Sequence, residues 1–221
     1  AVAEGAGRGV AIGYWINAGM QSSATLNVIA DGHVSILTGS PDIGGSRASM
    51  ALMASEVLGI PFEQINPQVA ATDSVGHTDV TGGSRTTVAT GQAVIQAAEQ
   101  CVAEMCRRAA VEWEVEPGVV AWSQGAAHYG DQTLTFEELA LRAGAMGGPL
   151  TFSSSLNSTS AAPAFGVHIC DAEVDKETGR TTITRYTAIQ DAGKAIHPDY
   201  VEGQLQGGAV QGIGWALNEE Y

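Results

Sequence analysis

The sequence predicts an α+β fold, with mixed sheets and packed helices, and two observations carry that prediction. Apolar residues alternate with period two in hairpin-like pairs, over 24–38 and again over 167–188. Elsewhere they recur three and four apart over helix-length stretches, as amphipathic helices require. The 221 residues, 44% of them hydrophobic, suffice for one large domain or two small ones with ordinary cores.

Val10, Ile12, Tyr14 and Ile16 alternate and predict a strand ending near Asn17. Ala24, Leu26 and Val28, the Asp31-Gly32 turn, and Val34, Ile36 and Thr38 predict a hairpin. Met50, Met53, Ala54, Val57 and Leu58 fall on one helical face, which Gly59 and Pro61 terminate. Residues 65–70 suit a further strand. A polar loop runs from Thr72 to Ser84, and a second helix starts near Ser84, with Val94, Ala97, Ala98, Cys101, Val102 and Met105 as its apolar line.

Residues 111–133 read as two short strands with Gly125 and Gly130 in turns. Leu134 to Ala145 reads as a short helix, with Thr135 and Glu138 at capping-box spacing. Residues 147–165, rich in Ser, Gly, Ala and Pro, read as a linker-like loop dividing 1–146 from 166–221. A hairpin follows, turning at Lys176 to Gly179, and a last helix starts at Pro198, a favoured first helical position, and runs to about Leu217. Trp113, Trp122 and Trp215 are expected to pack in the core. The chain begins at Ala1 without Met and stops at Tyr221 in what reads as a helix, so a fragment or processed chain is expected.

Charge narrows the partners. Ten Lys and Arg stand against 24 Asp and Glu, for a formal net charge of −14. Nucleic acid and anionic membrane surfaces need clustered cations, and no such cluster occurs. No apolar run is long enough to span a membrane. Cys101, Cys106 and Cys170 form neither C-x-x-C nor a zinc pattern, which suits reduced thiols in the cytoplasm and is also compatible with the periplasm. The P-loop, G-x-G-x-x-G, G-x-S-x-G and H-E-x-x-H patterns do not occur. Asp73, His77 and Asp79 read as a solvated polar loop rather than a metal site, and no residue is assigned as a direct metal ligand.

Three glycine-rich turns hold the chemistry. Gly44-Gly45-Ser46 precedes a helix; glycines permit positive φ, and the helix start presents free N–H groups to an anion. The plain alternative is a strand-to-helix turn capped by Ser46. Gly82-Gly83-Ser84-Arg85-Thr86-Thr87 repeats the logic with three hydroxyls and an Arg85 fork suited to phosphate or carboxylate; the alternative places Arg85 on a solvated face. In Gly207-Gly208-Ala209-Val210-Gln211-Gly212-Ile213-Gly214 the glycines fall inside a helix, where each costs about 0.5–1 kcal/mol relative to Ala. Close approach by another backbone or a flat ligand would compensate. The Gln211 amide suits an oxo group or a heterocycle edge, and a buried small-residue helix crossing is the alternative.

Four stretches in order, "ADGHVSILTGSPDIGGSRASMALMASEVLGI", "TDSVGHTDVTGGSRTTVATGQAV", "FGVHICDAEVDKETGRTTITRYTAIQDAGKAIHP" and "VEGQLQGGAVQGIGWALNEE", cover most of the chain. Together they resemble the molybdopterin-binding large subunit of the xanthine dehydrogenase and aldehyde oxidase family, notably bacterial members carrying molybdopterin cytosine dinucleotide. The resemblance implies a fragment of that subunit's molybdopterin-binding domain. It implies a molybdenum-dependent parent oxidoreductase that oxidises an aldehyde or N-heterocycle with water as oxygen source. The family's Gly-Gln-Gly loop falls on Gly44, Gly45 and Ser46, so its glutamine is replaced here. The family's second cofactor loop falls on Gly82, Gly83, Ser84, Arg85, Thr86 and Thr87, and its pterin-contacting glutamine falls on Gln211.

The family's catalytic glutamate would fall beyond Tyr221, so no catalytic residue is assigned. Glu219 and Glu220 are expected to be surface charges, and this piece alone is expected to be inactive. The implied partners are the rest of the large subunit, an iron–sulfur subunit with 2Fe–2S clusters, and an FAD subunit or a haem cytochrome. The rival readings are a non-catalytic α/β domain that binds a nucleotide or other anionic metabolite, and a purely structural fragment.

Overall fold

The computed structural model describes residues 4–159 and 163–220. Tyr221, read above as helical, lies outside the described residues, as do 160–162 of the expected linker. The chain forms two compact units, one made of Ala1–Ile16 with Ala162–Tyr221 and the other of Asn17–Ala161.

The second unit is built on the predicted hairpin. Strand β2 (Met20–Val28) pairs antiparallel with β3 (Val34–Thr38), placing Leu26 opposite Ile36 and Ala24 opposite Thr38. Helix α1 (Ser46–Leu58) returns the chain, so β4 (Ile65–Val69) can lie parallel to β3, as a crossover connection allows. A fourth strand, β8 (Leu150–Ser158), completes the order β4-β3-β2-β8. The sheet face carrying Ala24, Leu26, Val34 and Ile36 is buried with α1 and the long helix α2 (Gly91–Glu112), whose Val94, Ala97, Cys101 and Met105 are fully enclosed. Burying each large side chain of this kind contributes about 1.5–3 kcal/mol. A Cβ on Gly91 would lie 2.6 Å from Met53 Sδ, so glycine there permits the α1–α2 approach.

Strand β8 corrects the expected linker. Its helix-facing positions are Leu150, Phe152, Ser154, Leu156 and Ser158, in strict alternation. Two of those inward residues are serines, and Ser154 Oγ donates to Gln96 Oε1 on α2 at 2.8 Å. Small polar residues in buried phase erase the hydrophobic alternation that marks a strand.

Residues 111–133 also differ from expectation. Helix α2 persists to Glu112, and three strands follow, β5 (Ala121–Ser123), β6 (Ala126–Tyr129) and β7 (Gln132–Thr135), as an antiparallel meander. Helix α3 (Phe136–Leu141) carries the predicted capping box: Glu138 N–H donates to Thr135 Oγ1 at 3.2 Å, and Thr135 N–H to Glu138 Oε2 at 2.8 Å. Trp122 sets its indole N–H on the Leu58 carbonyl at 3.0 Å and its ring edge-on to Phe136, and Trp113 stacks on Tyr129. Trp215 departs from the expected core role and stands 66% exposed.

In the other unit, β1 (Ala6–Trp15) and β10 (Thr181–Asp191) flank β9 (Ala164–Val174), all antiparallel. Helix α4 (Pro198–Leu217) follows, with Pro198 in its first turn as expected. Gly7, Gly9, Ala11 and Gly13 alternate with Arg8, Val10, Ile12 and Tyr14 along β1, so one sheet face is small and the other bulky. The bulky face remains open: Val10, Ile12, Tyr14, Phe165 and Ile189 are all more than half exposed. Among the described residues no helix is long and apolar enough to cross a membrane.

Candidate functional site

The second unit brings two of the three glycine-rich turns together. Leaving β3, the chain reverses at Gly44 and Gly45, whose φ of 60° and 77° lie in the left-handed region that side chains disfavour. Ser46 then opens α1, and its Oγ accepts the Ile43 N–H at 3.2 Å. This helix start is already engaged. Asp42 accepts the Arg47 backbone N–H at 3.0 Å and Arg47 Nε–H at 2.8 Å. Those two donors, the backbone one foremost, hold the Asp42 carboxyl below the usual carboxylate range. A carboxylate therefore already sits at the positive end of this helix dipole. The turn suits an uncharged polar edge better than a phosphate.

The second turn differs. Gly83 and Ser84 take φ of 61° and 55°, and the chain winds through a π-helical turn, Thr86–Thr90, before continuing as α2. No side chain caps this start, and no acidic residue occupies its first turn. Isolated π turns occur often at functional sites, and the uncapped N–H groups of so long a helix form an anion-facing end. Gly82, Ser84 and Thr87 are exposed, whereas Thr86 is buried with its Oγ1 3.4 Å from Thr81 Oγ1. A Cβ on Gly82 would meet nothing within 4 Å; one on Gly83 would lie 2.8 Å from Ala18 Cβ, where Ala18 N–H also donates to the Gly83 carbonyl at 2.9 Å. Gly82 thus borders open space and Gly83 packs inward.

Arg85 departs from both sequence readings. It lies neither on a solvated face nor toward a ligand; it is completely buried. Its Nε–H donates to the Gly19 carbonyl at 2.8 Å, Nη1 to the Asp79 carbonyl at 2.8 Å, and Nη2 to the Gln21 carbonyl and to Ser22 Oγ. The guanidinium staples the turn to the start of β2. Burial draws its pKa below the ordinary value, against the attraction of Asp79. The Asp79 carboxylate accepts the Gln21 N–H at 2.7 Å and pairs with His77 Nε2 at 3.2 Å.

The turns meet through hydroxyls. Ser40, Ser46, Thr86 and Thr90, with Arg47 and Met50, help line one cleft of about 10 Å³, close to the room a single water needs. Anything larger rests on its rim. Sequence reasoning missed Ser22, Ser40 and Thr90, which are buried here. For Ser22 a signal existed: it stands in phase with Ala24 and Leu26, on the inward side of β2.

Gln211 belongs to the other unit, exposed on α4. Only Ala209 of that helix is buried. A Cβ on Gly203, Gly207, Gly208 or Gly212 would meet no atom within 4 Å, so the alternative of a buried small-residue crossing does not form within the described unit. These glycines border open space.

The molybdopterin cofactor-binding domain family matches residues 2–221. The chain is 30% identical over 210 residues to the nicotine 6-hydroxylase large subunit of Paenarthrobacter nicotinovorans, covering 90% of this chain and 26% of that protein. It is 29% identical over 213 residues to the xanthine dehydrogenase molybdenum-binding subunit of Escherichia coli O157:H7, covering 90% and 28%. In structure it is similar to a reconstituted CO dehydrogenase chain from Oligotropha carboxidovorans, with a TM-score of 0.83 and 25% identity over 92% of this chain and 28% of that one. The chain thus spans little more than a quarter of the length of these relatives.

Proposed function

The chain belongs to the molybdopterin cofactor-binding domain family, and on that premise we propose that it holds molybdopterin cytosine dinucleotide within the large subunit of a molybdenum hydroxylase. The parent enzyme oxidises an aldehyde or N-heterocycle with water as oxygen source. The observation that carries the assignment is the uncapped, acid-free helix start at Gly82–Thr87, with Gly82 open and the Ser84 and Thr87 hydroxyls exposed beside it. Those groups fit the anionic pyrophosphate of a dinucleotide in a chain too acidic to offer a cationic clamp.

Gly44, Gly45 and Ser46, closed to phosphate by Asp42, take the uncharged pterin side. With Gly45 where the family's glutamine falls, that turn offers backbone in place of a side chain. When bound, the molybdenum centre supplies the redox chemistry, and this chain supplies orientation and hydrogen bonds. The open bulky face of the β1-β9-β10 sheet is covered by the remainder of the large subunit. The iron–sulfur clusters, and any FAD or haem, reside in partner subunits, because Cys101, Cys106 and Cys170 do not form a cluster-binding set. Three free thiols suit a cytoplasmic enzyme.

Gly82→Leu in the intact parent tests the assignment, since neither backbone strain nor a local clash attends a side chain there. Molybdenum and cytosine nucleotide released from the purified parent should both fall severalfold. Full retention of both would remove Gly82–Thr87 from the cofactor site.

A further inference from the structure

The second glycine-rich turn is closed at its base by one residue of β2. Asp79 stands before the glycines and Arg85 after them, six positions apart, and both grip Gln21. Asp79 N–H donates to the Gln21 carbonyl at 3.0 Å, and the Asp79 carboxylate accepts the Gln21 N–H at 2.7 Å. Arg85 Nη2 donates to the same Gln21 carbonyl, and Arg85 Nη1 donates to the Asp79 carbonyl at 2.8 Å. The two ends of the loop are thus joined to Gln21 and to each other. Flanking bonds extend the seam. Thr78 Oγ1 accepts the Ser23 N–H at 3.3 Å, and the Gly83 carbonyl accepts the Ala18 N–H at 2.9 Å. Met20 and Ser84, on either side of the seam, take φ of 74° and 55° without being glycine. Such conformations persist only where the surroundings over-determine them. Asp79 also differs from Asp42. Asp42 engages the first helix start directly, whereas Asp79 directs its oxygens to Gln21 and His77, and the second helix start stays acid-free.

We propose that Asp79 and Arg85 are positioning residues for the cofactor: by closing on Gln21 they fix the Gly82–Ser84 backbone in its ligand-ready conformation before binding. A ligand then meets donors already aligned and does not have to order the loop, which raises affinity by removing that cost. Neither side chain needs to touch the cofactor. Arg85 is completely buried, and both residues act through the backbone between them. This role rests on the assignment of Gly82–Thr87 to the cofactor and adds Asp79, which lies outside the glycine-rich turns.

The test uses the intact parent carrying Asp79→Ala, Asp79→Asn, Arg85→Lys or Gly82→Leu, with Gly130→Ala, in the meander, as a stability control. Molybdenum, and pterin fluorescence after oxidative release, are followed during dialysis, and melting temperatures are recorded. Hydrogen exchange of the Gly82–Thr86 amides is measured on cofactor-depleted parent. Asp79→Ala removes the acceptor of the Gln21 N–H and should speed cofactor loss about fivefold, the scale of one hydrogen bond. Exchange across Gly82–Thr86 should rise with it. Asp79→Asn keeps a side-chain oxygen there and should restore both. Arg85→Lys lacks the fork that reaches the Gly19, Gln21 and Asp79 carbonyls together and should speed loss about tenfold. Gly130→Ala should lower the melting temperature and leave retention unchanged. If Asp79→Ala retains cofactor as wild type does, or Asp79→Asn loses it as fast as Asp79→Ala, the proposal fails. It fails equally if Gly130→Ala loses cofactor in step with its melting temperature, since retention then follows stability alone. If Arg85→Lys does not fold, the two Asp79 variants decide. If Gly82→Leu loses cofactor while Asp79→Ala and Arg85→Lys keep it, the proposal fails and the turn assignment stands. If all three keep it, the turn assignment fails as well.

Discussion

Gly59 and Gly125 lie back to back, each filling the space that a side chain on the other would need. Gly59 ends α1 at φ 72° and Gly125 turns between β5 and β6 at φ 70°. A Cβ on Gly59 would stand 2.4 Å from Gly125 N, and one on Gly125 would stand 2.7 Å from the Gly59 carbonyl oxygen. This contact joins the meander to the helix that carries the first turn. Both obstructions are backbone, so neither can swing aside. Gly59→Ala is expected to destabilise by about 2–4 kcal/mol, combining left-handed strain with overpacking. Gly130→Ala, also left-handed at φ 56° but with nothing within 4 Å, isolates the strain alone, at about 1–2 kcal/mol. Denaturant midpoints of the two variants check the difference; equal losses would show that the contact contributes nothing.

The Thr135–Glu138 capping box predicts a smaller, local effect. Thr135→Ala leaves the Glu138 N–H without its acceptor and should cost about 1 kcal/mol. Hydrogen exchange should accelerate in α3 while amides in the middle of α2 stay protected.

Acid should weaken the α2 end of the fold. Glu104 accepts from Arg107 Nε at 2.6 Å and from Arg108 Nε at 2.8 Å, and these bonds, Arg107 foremost, bring its pKa from 4.5 down to about 2 despite partial burial. A folded-state pKa below the unfolded one adds stability that is fully present above 4.5 and disappears as pH falls toward about 2. Arg107 is half exposed, so salt screens part of the effect. Buried Arg108 also donates to the carbonyls of Ala143 and Gly148, linking α2 to the segment after α3. The stability difference between wild type and Glu104→Gln should be constant above pH 4.5 and shrink below it. A difference independent of pH through that window would refute the assignment.

Thiol reactivity should separate along α2. Cys101 is fully enclosed and burial pushes its pKa up to about 12, so it should resist alkylation until the fold opens. Burial raises Cys106 as well, from a half-exposed position. Peptide mapping after brief iodoacetamide treatment should find Cys106 labelled before Cys101. Prompt labelling of Cys101 in folded protein would contradict the packing of α2 on the sheet.

The sequence by itself determined most elements, because their signals are local. The hairpin periodicity of 24–38, the glycine stop after Leu58, the capping box at Thr135 and Pro198 at the start of α4 all depend on neighbours within a few residues. So does the positive φ at Gly44, Gly45 and Gly83. Strand β8 and the inward role of Arg85 were decided only by tertiary structure. Ser154 is inward because β2 and α2 enclose it and Gln96 accepts its hydroxyl, and Arg85 is a staple because the carbonyls of Gly19 and Gln21, more than sixty residues earlier, converge on its fork. Polarity reads as exposure until the partners that satisfy it are in place, and here those partners come from distant parts of the chain.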